Sequence, residues 1–127
     1  MKKQDLPLSP HLQIYKPQIT SLLSISHRIS GVALNFVLVI LVLGLLCITL
    51  GESYFELLIS FINSFPIKII IFLAILGFSY HFLNGIRHII WDFGFLLGNR
   101  SSAIFGYFII ATSIISSIFI SRLLGLF

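Results

Sequence analysis

Residues 79–92 read SYHFLNGIRHIIWD, and they place two histidines, an arginine and an aspartate at the end of a long apolar run. On an α-helix, His81 and His88 are seven residues apart and share one face, roughly 10.5 Å apart along the axis. Gly85 lies between them on this face, and Gly77 lies one turn earlier. The helix therefore carries a row of histidines beside a groove without side chains, and such a groove suits a flat macrocycle.

The composition of the whole chain indicates a membrane protein. Hydrophobic residues make up 57% of the 127 residues and charged residues 9%, whereas soluble globular chains carry about 25% charged residues. Ionisable residues at membrane depth are costly and mark functional sites by default. His81, Arg87 and His88 are therefore candidate functional residues. The single cysteine, Cys47, lies in an apolar run and has no partner for an internal disulfide.

Three uncharged runs are long enough to cross a bilayer. They cover residues 29–51, 69–86 and 101–121, and about 20 residues are needed to span roughly 30 Å of hydrocarbon. Because no helix breaker precedes the first run and Pro66 suits a first helical turn, the helices are predicted over about 21–51, 66–90 and 102–126. The predicted fold is an all-α integral membrane domain over residues 1–127, with loops at 51–66 and 91–102.

The N-terminal segment and the positive charges predict the orientation. Residues 1–20 contain three prolines within eleven residues, which favours an extended arm over a helix. The arm has the pattern of neither a signal peptide nor a transit peptide. Six Lys and Arg residues lie on the side of the arm and the second loop, against two on the other side. This asymmetry predicts an inner N-terminus and an outer C-terminus.

His81 is a candidate metal ligand. It lies six residues before Arg87, about 9 Å deeper along the helix, and a neutral imidazole is a common ligand of haem iron. A hydrogen bond to a neighbouring helix explains a lone intramembrane histidine equally well, but the flanking glycines favour ligation. His88 shares the face of His81, so the two cannot approach one iron from opposite sides. A second axial ligand would therefore come from a partner chain.

A second polar group lies at the start of the first span. Ser24, His27 and Arg28 are spaced i, i+3 and i+4 and are neighbours on a helix, at the depth expected for Arg87 and His88. One interpretation is an interfacial anchor, with Arg28 extending to the surface. The other is a set of partners for haem propionates or for the carbonyl of a lipid-soluble quinone. Farther along the chain, an aromatic belt at the membrane boundary is the favoured interpretation of Trp91 and Tyr107.

Two motifs resemble those of the large membrane-anchor subunits of succinate dehydrogenase, which are cytochromes b. The first motif is Ser24-x-x-His27-Arg28-x-Ser30, preceded by Pro7-Leu8, Leu12 and Ile19. The second is His81-x-x-x-Gly85-Ile86-Arg87-His88-Ile89-x-Trp91-Asp92-x-Gly94. The resemblance covers nearly the whole chain, and the arm is similar to the mitochondrial and alphaproteobacterial branch. Leu6 stands where the family usually has arginine.

The resemblance implies a role for each polar residue. His81 matches the axial ligand of one haem b, whose other ligand comes from the small membrane-anchor subunit. Ser24 and Arg28 match residues that line the ubiquinone site, and His27, Arg28 and His88 match residues near the haem propionates. The implied function is to anchor the flavoprotein and iron–sulfur subunits and to help pass electrons from succinate oxidation to ubiquinone.

Other functions stay open at this point. One alternative is the haem-b anchor of a fumarate reductase or another quinone oxidoreductase, although two-haem anchors need more histidines within the spans. Another is a purely structural or small transport protein, which would bind no pigment. We expect no catalytic activity from the chain alone, because it has no dinucleotide fingerprint and one cysteine cannot ligate an iron–sulfur cluster. No nucleic acid is expected as a partner. The expected location is a bacterial cytoplasmic membrane or, for an organelle-encoded or mature chain, the mitochondrial inner membrane.

Overall fold

A computed structural model describes residues 17–127, which form four α-helices and no strand. The helices are α1 (Ile19–Thr49), α2 (Glu52–Ile62), α3 (Phe65–Asp92) and α4 (Asn99–Leu123). Pro17 and Gln18 precede α1 in non-helical conformation. The predictions for Leu6 and for most of the N-terminal arm lie outside the described residues.

Three of the four helices are long and apolar enough to cross a membrane. Helix α1 has 31 residues, α3 has 28 and α4 has 25, and at 1.5 Å per residue even α4 extends over roughly 37 Å. The predicted all-α membrane class is confirmed. Helix α1 begins two residues before the predicted start at 21, and α4 begins three residues before the predicted start at 102.

The interpretation of residues 51–66 purely as a loop is wrong, because this segment contains the 11-residue helix α2. Gly51 has φ 115° and separates α1 from α2, in a backbone region that glycine adopts without strain. Glu52 lies in the first turn of α2, where a carboxylate favours helix formation through the helix dipole. Pro66 lies in the first turn of α3, as the sequence predicts.

Helix α3 is the centre of the packing, since it lies against both α1 and α4. Close approach depends on small residues of α4, and at Gly106 an added Cβ would collide with the side chain of Leu23 in α1. The buried face of α4 consists of Ser102, Gly106, Ile109, Ser113, Ser117 and Ser121. Small residues at such positions let helix backbones approach in a membrane.

Helix α1 is packed more deeply at its N-terminal end than over the rest of its length. Leu23 is its only buried residue, and none of the residues in its most apolar 18-residue part is buried. Helix α1 also contacts α2, which follows it in the chain. The polar residues singled out from the sequence lie towards the N-terminal ends of α1 and α4 and the C-terminal end of α3.

Candidate functional site

Three histidines from two helices form one cluster. His27 of α1 stacks on His81 of α3, with ring centroids 4.0 Å apart and ring planes 12° apart. The centroid of the His88 ring lies 5.1 Å from that of His27. The helical spacing predicted a shared face for His81 and His88, and both contact His27 across the α1–α3 interface.

His27 and His81 also hydrogen-bond to each other's backbone. The distance from His27 Nε2 to the His81 carbonyl oxygen is 3.2 Å, and that from His81 Nδ1 to the His27 carbonyl oxygen is 3.1 Å. Ser30 Oγ lies 3.1 Å from His81 Nδ1 and donates to the His27 carbonyl oxygen at 2.8 Å. With a proton on Nδ1, His81 makes these contacts as a donor, and Nε2 keeps the free lone pair. This is the tautomer that metal-ligating histidines adopt when a carbonyl accepts the other ring proton.

Glycines shape the space around the histidine rings. At Gly31 an added Cβ would lie 2.9 Å from His81 Cε1, so only glycine lets this ring lie against α1. A Cβ at Gly85 would lie 3.8 Å from His27 Nε2, whereas one at Gly77 would meet no atom within 4 Å. The predicted groove along α3 is open at Gly77, and His27 partly covers it at Gly85.

Arg28 faces a different side of α1 from His27, whereas Ser24 lies within about 60° of His27 around the helix axis. Ser24 is half-buried and Arg28 is exposed, while His27 points towards α3. Beside Arg28 is a shallow groove of about 440 Å³, whose other lining residues are Ile29, Val32, Ala33 and Phe36. Adjacent helical residues differ by about 100° in direction, which is why the structure separates the guanidinium of Arg28 from the histidine cluster.

Arg87 is sealed between α3 and α4, although its sequence position suggested an interfacial cation. Its side chain is 1% exposed. Nη1 donates to Asn84 Oδ1 at 3.3 Å, and Nη2 donates to Ser102 Oγ at 2.9 Å and to the Ser102 carbonyl oxygen at 3.3 Å. The guanidinium carbon lies 4.1 Å from the centre of the Trp91 ring. Trp91 is half-buried beneath Arg87 and meets His88 edge-on, so it has contacts that an aromatic belt does not predict.

Several residues of this site were not identified as functional from the sequence. Gly31, Asn84 and Ser102 had no signal beyond being small or polar in an apolar helix. Tyr80 donates a hydrogen bond to the Leu23 carbonyl oxygen at 2.7 Å and so ties α3 to α1 beside Ser24. One sequence signal for these residues was available: Asn84 is a polar residue three positions before the intramembrane Arg87.

The chain supplies only part of a metal-binding site. Within residues 17–127, no group of three or more His, Cys, Asp or Glu side chains is arranged to hold a metal ion. His81 offers one free ring nitrogen, beside glycines. Such an arrangement fits a metal that is already held by a macrocycle and needs one axial ligand from this chain.

Comparisons with known proteins agree with the motifs. A family model described as succinate dehydrogenase/fumarate reductase transmembrane subunit matches residues 2–120. The succinate dehydrogenase cytochrome b556 subunit of Rickettsia typhi is 44% identical over 109 residues, covering 86% of this chain and 85% of the relative. The succinate dehydrogenase cytochrome b560 subunit of Marchantia polymorpha is 45% identical over 101 residues, covering 75% of this chain and 73% of the relative. The corresponding subunit of Chondrus crispus is 40% identical over 119 residues, covering 87% of this chain and 90% of the relative.

The family match covers α1, α3 and most of α4, and its range includes the positions of the histidine cluster between α1 and α3. The predicted resemblance is confirmed. The chain belongs to the family of succinate dehydrogenase/fumarate reductase transmembrane subunits and is similar to its cytochrome b members.

Proposed function

We propose that the chain is the haem-binding membrane anchor of a succinate–ubiquinone oxidoreductase. The observation that carries the proposal is the hydrogen bonding of His81, whose Nδ1 faces the His27 carbonyl and Ser30 Oγ, an arrangement that leaves Nε2 as the ring nitrogen for ligation when Nδ1 carries the proton. The relatives reported above are named as cytochrome b subunits of succinate dehydrogenase. Their names favour succinate oxidation over fumarate reduction as the reaction of the complex.

The residues of the cluster fit a haem b shared with a second chain. His81 would provide one axial ligand through Nε2, and the small membrane-anchor subunit would provide the other. A bound haem supplies a one-electron carrier at this depth of the membrane. His27, His88 and Arg28 would hold the propionates, since imidazole and guanidinium groups donate charge-assisted hydrogen bonds to carboxylates. Ser30 and the His27 carbonyl keep the His81 ring in the orientation that ligation needs.

Ser24 and Arg28 are the proposed contacts of ubiquinone. Reduction builds negative charge on the quinone oxygens, and a serine hydroxyl can donate a hydrogen bond to one of them. The guanidinium of Arg28 stabilises this charge without losing a proton. The groove beside Arg28, lined by apolar side chains of α1, suits an isoprenoid tail. Its position next to an exposed arginine supports entry of the quinone from the bilayer.

The proposed partners and location follow from the family and the charge asymmetry. The flavoprotein and iron–sulfur subunits would dock on the inner side, which by the predicted topology carries six of the eight Lys and Arg residues. The membrane would be bacterial or mitochondrial. Labelling of Lys2→Cys and of Leu124→Cys, each in a Cys47→Ser background, tests the orientation. We expect an inner residue 2 and an outer residue 124, and labelling of both from one side contradicts the topology.

The absorption spectrum of the assembled complex tests the haem proposal. We expect a low-spin bis-histidine spectrum that His81→Ala abolishes and that Ser116→Ala leaves unchanged, because Ser116 only bonds back to the Ser113 carbonyl of α4. An unchanged spectrum in His81→Ala with loss in His88→Ala would identify the other histidine as the ligand. The absence of any pigment from the wild-type complex would favour a purely structural anchor.

A further inference from the structure

The interface between α3 and α4 holds a buried cluster rich in hydrogen-bond donors. Arg87 and Asn84 are 1% and 0% exposed. Arg87 Nε, Asn84 Nδ2 and Trp91 Nε1 are buried and have no hydrogen-bond partner among the described residues. All three groups are donors. The cluster therefore presents positive potential on every side that is not occupied by Asn84 Oδ1 or Ser102.

The charge of Arg87 is not balanced by a carboxylate within residues 17–127. The guanidinium bonds only to neutral acceptors, the Asn84 amide and the hydroxyl and carbonyl of Ser102. Of the three acidic side chains in this range, Glu52 and Glu56 lie on α2, which precedes the opposite end of α3, and Asp92 is exposed. A buried cation without a counter-charge destabilises a fold, so retaining one here calls for a functional reason.

A short series of ring contacts connects this charge with the histidine cluster. Arg87 lies 4.1 Å above Trp91, and the Trp91 ring meets the His88 ring at 5.3 Å. The His88 ring lies 5.1 Å from that of His27, which stacks on His81 at 4.0 Å. Protein interiors have a low effective dielectric constant, so a fixed charge acts over such distances, and its burial reduces screening by salt.

We infer that Arg87 is a fixed buried positive charge that favours the reduced form of the one-electron carrier held at His81. The inference rests on the proposed haem site. Adding one electron lowers the charge of the carrier by one, and the guanidinium stabilises that change without taking up or releasing a proton. Asn84 and Ser102 accept hydrogen bonds from the guanidinium without neutralising its charge.

A redox titration of the haem in the complex measures this effect directly. With Arg87→Gln, we expect the ratio of reduced to oxidised carrier at a fixed potential to fall about tenfold, which corresponds to 59 mV for one electron. Arg87→Lys keeps the charge and is expected to stay close to wild type. Arg100→Gln is the matched control, because it removes an exposed arginine from the first turn of α4 and is expected to have little effect.

A second variant tests the same charge while keeping the arginine. Asn84→Asp has nearly the same shape and places a carboxylate where Arg87 Nη1 already donates, so it neutralises the guanidinium in place. We expect the same direction of change as for Arg87→Gln. Ser102→Ala removes a hydrogen bond without changing the charge, and we expect it to lower thermal stability and leave the potential near that of wild type.

The outcomes separate this inference from the haem proposal. An unchanged potential in Asn84→Asp, in a complex whose spectrum still depends on His81, overturns the role of Arg87 and leaves the haem proposal standing. A shift in Ser102→Ala as large as that in Asn84→Asp also overturns it, because the effect would then come from packing. A wild-type complex without haem overturns both proposals.

Discussion

The two polar faces of α3 lie within a dozen residues of each other, yet they have different surroundings. The face towards α1 carries His81, Gly85 and His88, which are all half-buried, and Nδ1 of His81 faces the His27 carbonyl oxygen. The face towards α4 carries Asn84 and Arg87, which are completely buried. The comparison teaches that a polar residue at membrane depth can serve a ligand or seal an interface, and that residue type alone does not tell which.

Small residues of the neighbouring helices explain the difference. On the α4 side, Gly106 lacks a side chain that would collide with Leu23, and Ser102 supplies both α4 acceptors for the guanidinium of Arg87. On the α1 side, Gly31 lets the ring of His81 come close, but the rest of α1 is exposed. The face of α3 towards α4 is therefore closed by the chain itself. The face towards α1 can be completed by a cofactor and a partner subunit.

The largest expected effect is at the proposed quinone site. Ser24→Ala and Arg28→Leu each remove a donor from the open side of the molecule, and we expect a loss of ubiquinone reduction on the order of 10²-fold. Succinate oxidation with an artificial dye that accepts electrons upstream measures the remaining activity and is expected to persist. If both variants reduce ubiquinone at the wild-type rate, the quinone site lies elsewhere and Arg28 is better interpreted as an interfacial anchor.

The next largest effect tests the close packing of α4 at Gly106. In Gly106→Ala the new Cβ collides with Leu23, and we expect a destabilisation of about 1–3 kcal/mol from overpacking. Gly77→Ala is the matched control, since its Cβ meets no atom within 4 Å of the described chain and alanine favours the helix by up to about 1 kcal/mol. Thermal unfolding of the complex in detergent measures both. Equal stabilities would show that α4 does not depend on close approach at Gly106.

The smallest effect tests the face of α3 that carries His81 and lies towards α1. Gly31→Ala brings a Cβ to 2.9 Å from His81 Cε1, and we expect a loss of about 1 kcal/mol or less, because the half-buried ring can tilt away. The measurable sign is a shifted haem spectrum at nearly unchanged stability. In Gly85→Ala the new Cβ makes only an ordinary contact with His27 at 3.8 Å. If the Gly85→Ala variant loses haem, the space beside Gly85 is needed by the macrocycle and not by the packing of the protein. If the variant keeps its haem in full, the macrocycle does not lie against Gly85.

Residues close in the chain could be related to one another from the sequence alone. The three spans follow from the length of the uncharged runs, and the shared face of His81 and His88 follows from the helical repeat. Helix α2 was missed because two glutamates and a flanking glycine resemble a loop, although Glu52 at its first turn was a usable helix signal.

The amino-acid sequence alone predicts three membrane-crossing helices, a membrane environment and the histidine row on α3, because each depends on local composition or on the period of one helix. The directions in which His27 and Arg28 face, and the helix that encloses Arg87, emerge only from the packing of the helices against one another. Those outcomes depend on how each helix is rotated about its own axis. That rotation is set by contacts between residues far apart in the chain, such as Leu23 with Gly106 and Arg87 with Ser102, and no periodicity within a single helix encodes it.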